Sequence, residues 1–474
     1  MIKTKIVATL GPGCREAQTI KQMVDNGVDV FRLNFSHGSL DEHHRMFEQV
    51  CLVRGEHPHT IAVMGDLCGP KIRLGKIEPA IQQVDAGSEV TIFIGNEQPY
   101  SGYFPINYKN FARDVKIGDR VLIDDGQIAM QVIEKSEDKV RCRIIIAGNV
   151  QSNKGVNLPD SQVSAPSITE KDWQCVDWAI EHKLDFLALS FVRSGDDIRQ
   201  LAGYLKEKGS DIKIVAKIET PCSLKNLDDI IEASNVILIA RGDLGVEMDL
   251  AEVPLIQKRI THMCRRRGKA VIVATQMLQS MIENPFPTRA EVSDTANAIM
   301  DFTDAVMLSG ETSIGKYPVE AAKTIRRIAQ YTESYLEQGD AVYPKIATTD
   351  ELLLTAAMAH SVAHITEDIA AKLVAVWSET GSGARLLSKA RLDAPILAFT
   401  SNQRICRQMC LHYGVIPRCR AIPANTEEFI QIVDKMALER GWLQPGDRII
   451  LVAGKPIGKA GTTNTITVHT VTSD

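Results

Sequence analysis

The sequence predicts an α/β fold whose core is a TIM (β/α)8 barrel. Eight short apolar runs, the pattern of buried parallel strands, alternate with segments of helical periodicity. Polar residues follow nearly every run, and TIM barrels carry their chemistry at that end of the strands. An open doubly wound sheet is the competing architecture, but it usually has fewer strands and binds its ligand at one crevice.

Three of the eight strands come first, in residues 1–70. Strands and helices alternate over Thr4–Thr9, Arg15–Asn26, Val28–Phe35, Leu40–Arg54 and Thr60–Met64. Gly11 and Gly13 follow the first strand and Gly27 follows the first helix, as turn signals do. We assign this segment to the barrel.

Residues 71–166 have a different pattern, without helical periodicity. Short β-branched runs alternate with turns, and the clearest runs are Glu89–Ile94, Arg120–Ile123, Ile128–Ile133 and Val140–Ala147. A small antiparallel β domain, which we expect to be a β-barrel lid, therefore interrupts the series after the third strand.

Five further strands are predicted in residues 167–340, each after a helix. The strands are Phe186–Phe191, Ile212–Ala216, Val236–Ala240, Ala270–Thr275 and Ala305–Ser309. The helices are Trp173–His182, Gly195–Lys208, Ser223–Ala233, Pro254–Arg267 and Arg289–Met300. A last helix, Val319–Glu337, begins after Tyr317-Pro318 and completes the barrel.

A separate C-terminal α/β domain is predicted from about Tyr343, in residues 341–474. Its strands are predicted at Leu373–Trp377, Ile396–Phe399, Ile449–Ala453 and Thr465–Val471. Its helices are predicted at Asp350–Ala371, Gly383–Arg391, Arg404–Tyr413 and Thr426–Arg440.

Composition narrows the class of protein. The chain has 474 residues, enough for two to four domains, and a net charge of −5, which predicts no general affinity for nucleic acid or anionic membrane. No apolar stretch approaches membrane-spanning length, and because the N-terminus enters a strand directly, no signal peptide is expected. The ten cysteines form no CxxC pair, so a reduced, cytoplasmic protein is expected.

One stretch in the barrel region indicates phosphate chemistry. Lys217 and Glu219 lie two residues apart at the end of a strand-like run, where alternate side chains share a face. Asp243 follows the next strand in the same way. A cation for a phosphoryl group beside carboxylates for a divalent metal suits phosphoryl transfer. A surface ion pair at a strand end is the alternative interpretation.

Six motifs, in order along the chain, resemble those of the pyruvate kinase family. They are Thr4–Pro12, Arg32–Gly38, Ala216–Glu219, Ala240–Gly245, Ala274–Leu278 and Ser309–Thr312. The resemblance covers essentially the whole chain and is to bacterial members. It implies a glycolytic reaction in which the phosphoryl group of phosphoenolpyruvate passes to ADP, giving pyruvate and ATP.

The resemblance also implies roles for individual residues. Lys217 would stabilise the transferring phosphoryl group, and Arg32, with its planar guanidinium, would bind phosphate. Thr275 would lie near the carbon that is protonated. Backbone at Gly242 and Asp243 would face the carboxylate of the substrate.

Metal and nucleotide contacts follow from the same resemblance. Glu219 and Asp243 would hold Mg²⁺, with Mn²⁺ as an alternative metal. The nucleotide would be contacted by Asn34, His37, Arg73 and Lys154.

Two positions depart from the family pattern. Many members carry a lysine where Ile314 stands, which leaves open whether the nearby Lys316 replaces it. Cys222 occupies a position that is usually polar or acidic.

Family position would place a monovalent cation at Asn34, Ser36, Asp66 and Leu67. The adjoining segment resembles K⁺-independent members instead, because Leu67 and Lys71 stand where cation-dependent members have threonine and glutamate. An ammonium group can supply the positive charge that K⁺ would bring. We therefore expect no K⁺ requirement.

A regulatory site is expected in the C-terminal domain. Hydroxyls and backbone N–H groups at the start of a helix can bind an anion, and such a loop, resembling the family's effector-phosphate loop, contains Ser378, Thr380, Ser382 and Gly383. Ser382 and Gly383 differ from the commoner residues there, so a phosphorylated effector, a sugar phosphate or nucleotide, is expected without a specific identity. A plain helix cap is the alternative. The family is typically tetrameric, which implies a homotetramer.

Two other classes of function fit part of the pattern. A barrel aldolase or lyase acting on an enolpyruvate with Mg²⁺ could use the same lysine and carboxylates, but it needs no lid with nucleotide contacts. A binding scaffold without catalysis would be expected to have lost the central lysine or a metal ligand, and none is lost here.

Overall fold

The computed structural model describes residues 2–337, 346 and 350–472. Its largest unit is a closed barrel of eight parallel strands, which confirms the predicted fold class. An inserted β region and a C-terminal α/β unit accompany the barrel. The predicted boundary at 340–341, with Tyr343, lies outside the described residues. Among the described helices, none has both the length and the apolar character needed to cross a membrane.

The first three barrel strands alternate with two helices. The elements are β1 Lys5–Thr9, α1 Ala17–Asp25, β2 Val28–Asn34, α2 Leu40–Glu56 and β3 Ala62–Asp66. Gly27, with φ of +99°, reverses the chain between α1 and β2. Ser39 and Glu42 form a capping box that fixes the start of α2 immediately after the β2 loop.

The insertion contains eight strands and one short helix. The elements are β4 Ile81–Val84, β5 Glu89–Ile94, β6 Tyr103–Ile106, α3 Phe111–Asp114, β7 Arg120–Ile123, β8 Ile128–Lys135, β9 Lys139–Ile146, β10 Gly148–Gln151 and β11 Val156–Asn157. Six strands form one sheet in the order β11-β7-β8-β9-β5-β6, and β4 pairs with β10. The β5–β6 pair is parallel. The described pairings therefore give two sheets rather than the single antiparallel β-barrel that we expected.

The barrel resumes after the insertion. Its elements are α4 Glu170–Glu181, β12 Phe186–Leu189, α5 Gly195–Glu207, β13 Lys213–Ile218, α6 Pro221–Lys225, α7 Leu227–Ala233, β14 Val236–Ala240, α8 Arg241–Glu247, α9 Val253–Arg266, β15 Ala270–Ala274, α10 Arg289–Met300, β16 Ala305–Leu308, α11 Gly310–Ser313 and α12 Pro318–Leu336. The ring order is β1-β16-β15-β14-β13-β12-β3-β2. The single helix predicted over Ser223–Ala233 is two helices, separated at Asn226.

The C-terminal unit is a five-stranded sheet with helices. Its elements are α13 Asp350–Asp368, β17 Leu373–Trp377, α14 Ser382–Lys389, β18 Ile396–Thr400, α15 Gln403–Gln408, β19 Val415–Cys419, α16 Thr426–Glu439, β20 Arg448–Gly454 and β21 Thr463–Thr470. The order is β19-β18-β17-β20-β21, and only β21 is antiparallel to its neighbour. The helix predicted over Arg404–Tyr413 ends at Gln408. The strand β19 was not predicted, and its Pro417 is tolerated because β19 is an edge strand.

Candidate active site

The carboxyl ends of the barrel strands and the insertion enclose a cleft of about 560 Å³. The insertion and its hinges contribute 70–73, Asp125 and much of 155–164 to its walls, while the barrel contributes Phe191, Arg193, Asp243 and Glu247. The catalytic face of the barrel and the inserted sheets therefore share one cavity.

Lys217 lies at the centre of an ionic network beside this cleft. Its ammonium nitrogen lies 2.7 Å from Glu219 Oε1 and 3.4 Å from Asp66 Oδ1, and it donates a 2.7 Å hydrogen bond to Ser190 Oγ. Burial opposes the charge, but the Asp66 and Glu219 carboxylates outweigh it and raise the pKa of Lys217. The side chain is therefore held as a cation, and the expected proximity of Lys217 and Glu219 is present.

Arg32 approaches the same network from β2. Its Nε donates to Asp66 Oδ2 at 2.6 Å and its Nη1 donates to Thr9 Oγ1 at 2.9 Å. Burial opposes ionisation of Asp66, but Lys217 and Arg32 outweigh it and lower the pKa of Asp66. One buried carboxylate thus positions two cations, which is the arrangement that a phosphoryl group requires.

Glu219 and Asp243 are two carboxylates of the site that could hold a divalent cation. Glu219 is buried, and its Oε2 accepts a 2.7 Å hydrogen bond from the Phe191 N–H. Asp243 lines the cleft. Burial of its carboxyl and then the charge of the Glu219 carboxylate raise the pKa of Asp243 to about 6. Two mutually repelling carboxylates of this kind favour a bound cation, and oxygen donors suit Mg²⁺. Asp243 follows the end of β14 closely, as predicted, but it lies within the helix α8.

Thr275 joins the end of β15 to the start of α8. Its Oγ1 accepts a 2.7 Å hydrogen bond from the Gly242 N–H and donates to Ala274 O at 2.6 Å. Thr275 has φ of +70°, a strained conformation for a β-branched residue. Arg241 donates to the carbonyl oxygen of Thr275 at 3.0 Å and so secures the same turn. A Cβ at Gly242 would lie 3.3 Å from Thr275 Oγ1, which leaves little room for any other residue.

The predicted nucleotide residues come from two parts of the chain, Asn34 and His37 from the end of β2 and the loop after it, and Arg73 and Lys154 from the insertion. Arg73 lines the cleft, and its Nη1 donates to Asn153 O at 2.7 Å. The pKa of His37 is lowered first by partial burial and then by Lys71 and Arg73. Lys154 is not among the described cleft-lining residues, and its ammonium donates to Asp124 Oδ1 at 2.9 Å.

The residues of the expected monovalent site already have partners within the protein. Asn34 Oδ1 accepts a hydrogen bond from the Ser36 N–H at 3.2 Å, and the Leu67 N–H donates to Ala188 O at 2.9 Å. Lys71 lines the cleft and is half-buried. Its pKa is lowered by burial, with Arg73 and Lys217 adding to the effect and Asp66 opposing it.

The two positions that depart from the family pattern, Ile314 and Cys222, differ in their relation to the cleft. Ile314 is exposed, and Lys316 forms an exposed ion pair with Glu283. Cys222 lines the cleft. Among the described residues that line the cleft, Lys316 is absent.

The predicted effector loop is an ordered turn before α14. Ser378 Oγ accepts a 3.1 Å hydrogen bond from the Gly383 N–H, and Thr380 Oγ1 lies 3.1 Å from Ser382 Oγ. Gly381, with φ of +76°, permits the turn. A small cavity lies between this loop and 458–463.

Several contacts in the site were not predicted. Ser190 and Thr9 end strands as the recognised residues do, so the same polar strand-end signal could have identified them. Glu247 has no such signal, because it is the last residue of helix α8 and does not end a strand. Its Oε1 accepts a 3.0 Å hydrogen bond from Asn157 Nδ2 of the insertion, and burial, then Asp243 and Glu219, raise the pKa of Glu247 to about 7.

Comparisons with known proteins agree with this geometry. The family model described as pyruvate kinase, barrel domain, matches residues 1–322, and the model described as pyruvate kinase, alpha/beta domain, matches residues 356–469. Pyruvate kinases from Staphylococcus aureus strains MRSA252 and USA300 are each 38% identical over 473 residues, which cover 99% of this chain and 81% of the relative.

A solved structure gives the same result. The crystal structure of a pyruvate kinase from Cryptosporidium parvum matches with a TM-score of 0.90 and 33% identity, over 99% of this chain and 96% of that chain. Sequence and fold therefore agree over nearly the full length. The chain belongs to the pyruvate kinase family and catalyses its glycolytic reaction, the transfer of the phosphoryl group of phosphoenolpyruvate to ADP.

Proposed function

We propose that Lys217 and Arg32 bind the phosphoryl group as it passes between the two substrates. The observation that carries this assignment is the shared carboxylate of Asp66, which contacts both cations and fixes them near one point. Positive charge that is already positioned costs no reorganisation when the phosphoryl group moves. The ammonium of Lys217 and the guanidinium of Arg32 thus provide most of what the protein can contribute to phosphoryl transfer.

Glu219 and Asp243 are the proposed ligands of Mg²⁺, with Mn²⁺ as an alternative. The metal, when bound, would neutralise charge on substrate oxygens and orient them. Glu219 is held by the Phe191 N–H, while Asp243 lines the cleft. Backbone at Gly242 and Asp243 would face the substrate carboxylate.

Thr275 is proposed to act near the carbon that accepts a proton. Its hydroxyl hydrogen-bonds the Gly242 N–H and the Ala274 carbonyl, so its position is fixed. A threonine hydroxyl is too weak an acid to donate a proton unaided, so we assign it the positioning of a water molecule that does.

The insertion is proposed to close over the nucleotide and exclude water. Arg73 on the cleft wall would contact the ADP phosphates, with Asn34 and His37 on the barrel side. Lys154 would need to exchange its Asp124 partner for a phosphate, which is a change of one ion pair.

The enzyme is proposed to work without K⁺. Asp66, the carboxylate at the centre of the expected monovalent site, already contacts Arg32 and Lys217. A third charge is supplied by Lys71, which Asp66 attracts. Two cations 4 Å apart repel by about 4 kcal/mol at an effective dielectric of 20, so K⁺ would bind poorly beside them.

A phosphorylated effector is proposed to bind at the loop formed by Ser378, Thr380, Ser382 and Gly383. The cavity beside this loop is lined on its other side by 458–463, which includes Lys459 as a counter-charge. Sugar phosphates and AMP should be screened for a change in activity at low phosphoenolpyruvate. Activation lost in Ser382→Asp, which brings a carboxylate to the loop, would support the site, and no response to any compound would refute it.

We infer a homotetramer from two separate uncovered surfaces. Tyr331 and Tyr335 lie on one face of α12 and are 74% and 66% exposed. The other surface is β21, an eight-residue edge strand that is paired on one side only. Two self-complementary interfaces are what a tetramer of two-fold symmetry needs, and light scattering during gel filtration would measure the mass.

The catalytic assignment is tested by Lys217→Met. Removing one preorganised charge stabiliser commonly lowers the rate by about 10²–10³-fold, and more is expected for a full ammonium. Pyruvate formation should therefore nearly vanish in a folded variant, and Asp243→Asn should raise the Mg²⁺ concentration needed for half-maximal rate. Near-normal turnover of a folded Lys217→Met enzyme would contradict the role of Lys217.

A further inference from the structure

A second large cavity, of about 460 Å³, lies at the opposite end of the barrel from the catalytic cleft. One wall is formed by the first residues of β12, β13 and β14. The other wall belongs to the C-terminal domain and includes the start of α14, part of α15 and the segment that follows it. The amino ends of barrel strands are remote from the chemistry at their carboxyl ends, so this cavity is separate from the active site.

The cavity concentrates positive charge. Lys213, Lys269, Arg267 and Arg385 line it, and Glu232 is the only carboxylate among the described lining residues. Arg267 pairs with Asp228, whereas the Lys269 ammonium donates only to backbone carbonyls, at 2.7 and 3.0 Å. The Arg385 guanidinium likewise donates to a backbone carbonyl.

These cations are destabilised by their surroundings. The pKa of Lys269 is lowered first by burial and then by the charge of Arg385. Burial also lowers the pKa of Lys213, with Arg385 adding to the effect and Asp211 opposing it. Within the described part of the chain, no carboxylate forms an ion pair with Lys213, Lys269 or Arg385. A bound anion would relieve this repulsion.

Two buried polar atoms in the cavity wall have no hydrogen-bond partner in the described structure. They are Gln408 Oε1 and His412 Nδ1, on side chains of residues that are 5% and 9% exposed. The amide nitrogen of Gln408 donates to Asp211 O at 3.0 Å, so its oxygen is left as an unsatisfied acceptor. Unpaired buried polar groups are uncommon and costly, and a ligand that satisfies them gains affinity.

We propose that this cavity binds a small phosphorylated metabolite, with its phosphate against Lys213, Lys269 and Arg385 and its hydroxyl or amino groups facing Gln408 and His412. The cations match a phosphate dianion, and Gln408 Oε1 requires a donor that inorganic phosphate supplies poorly. The volume is that of an ordinary small-molecule site and accommodates a sugar or nucleoside monophosphate.

The proposed site is distinct from the effector loop, although the two share a wall. Thr380 and Ser382 contribute to both cavities, but the cations that line this one do not contact the smaller cavity. The site in turn contacts Lys213 and Val236 at the feet of β13 and β14, the strands that precede Glu219 and Asp243. A ligand here would therefore join the barrel to the C-terminal domain.

Binding should be measured by calorimetry on the full chain, without substrates, so that the result is independent of catalysis. The probes are inorganic phosphate, ribose 5-phosphate, glucose 6-phosphate and AMP. At least one ester should bind, and Lys213→Met should weaken it by about tenfold or more, because a hydrogen bond to a charged group is lost. The Lys213 ammonium makes no hydrogen bond or ion pair among the described residues, so this change should spare the fold.

Three variants serve as controls. Lys206→Met removes an equal charge from the exposed face of α5 and should bind the ester as the native chain does. Lys213→Arg should restore binding. Lys459→Met alters only the smaller cavity, so it should remove any ester binding at the effector loop and leave the binding that Lys213→Met weakens.

Four outcomes would overturn the proposal. No ester binds at millimolar concentration, Lys213→Met binds every ester as tightly as the native chain, or all ester binding is lost in Lys459→Met instead. Inorganic phosphate that binds as tightly as every ester would show that Gln408 and His412 contact no ligand group.

Discussion

Lys71 carries a charge beside the active site without an acidic partner in the described structure. Its ammonium lines the cleft, and both Asp66 and Lys217 are close enough to affect its pKa. The expected outcome for the native enzyme is full activity in buffer whose only monovalent cation is tetramethylammonium. In Lys71→Glu, activity without K⁺ should fall at least tenfold, because the charge of the ammonium is lost. Activity should return when KCl is added, because the new carboxylate attracts K⁺ to the same place.

The matched control for this experiment is Lys109→Glu, which makes the same charge change at an exposed position of the insertion. It should need no K⁺. Strong activation of the native enzyme by KCl, or a Lys71→Glu enzyme fully active without it, would show that Lys71 supplies no needed charge.

The residues of the site were predictable to different degrees. Lys217, Glu219 and Arg32 stand at strand ends, where the fold alone directs side chains to one face. The prediction did not include Ser190, although it also ends a strand and contacts Lys217. Contacts such as Glu247 with Asn157 depend on how the insertion packs on the barrel, and no local pattern encodes that packing.

At the scale of elements, the contact between α8 and the insertion depends on pH. Glu247 is 7% exposed, and burial raises the pKa of its carboxyl to about 7 from an ordinary value near 4.5. Because the folded-state pKa is the higher one, the protonated form is favoured by folding. The stability that this provides is complete below about pH 4.5 and is lost as the pH rises through 7.

Glu247→Gln keeps the acceptor for Asn157 and removes the charge. In metal-free protein at pH 8, the variant should unfold at a higher urea concentration than the native chain. Its free energy of unfolding should be larger by at most about 3 kcal/mol, because each unit by which the pKa is raised corresponds to about 1.4 kcal/mol. The difference should shrink toward zero by about pH 5. Glu207→Gln, at an exposed end of α5, should show no such trend, and an equal stability gain at pH 5 and pH 8 would contradict the assignment.

Helices and strands with a clear hydrophobic pattern were predicted with nearly correct boundaries, whereas several short strands were not predicted. The barrel helices and strands differ from the predicted ranges mostly by one to three residues. The strands β4, β6, β10 and β11 were missed because each is short and is interrupted by glutamine, proline, glycine or asparagine, unlike the equally short but more apolar β7, β12 and β16. The α8 helix was read as a strand end, since Arg241–Gly245 contains two glycines and follows directly on β14.

At the scale of the whole molecule, the C-terminal domain docks on the barrel through buried ion pairs. Lys389 at the end of α14 lies 2.6 Å from Asp304, and the side chains are each 1% exposed. Asp304 also lies 3.2 Å from Arg391 and accepts a hydrogen bond from the Val271 N–H in β15. One helix thus connects the proposed effector loop at its start to the barrel at its end.

Lys389→Met should therefore destabilise the whole chain rather than the C-terminal domain alone. Removing one partner of a buried pair commonly costs about 3–5 kcal/mol, because the other charge stays buried. Lys258→Met removes a lysine whose side chain is 55% exposed from its pair with Asp301, and Asp301 keeps a hydrogen bond from Gln257 Nε2, so the change should cost at most about 1 kcal/mol. Unfolding in urea should be followed by circular dichroism and by the fluorescence of the tryptophans, which lie in both units.

The two probes should give one shared transition at lower urea in Lys389→Met, because Asp304 joins β15 and β16 of the barrel to α14. An early transition limited to Trp377 and Trp442 of the C-terminal domain would show that the docking contact does not stabilise the barrel. Equal losses in the free energy of unfolding in Lys389→Met and Lys258→Met would show that burial does not increase the cost of breaking the Lys389–Asp304 pair. A single shared transition is expected, because the Asp304 carboxylate accepts hydrogen bonds from both units and is buried.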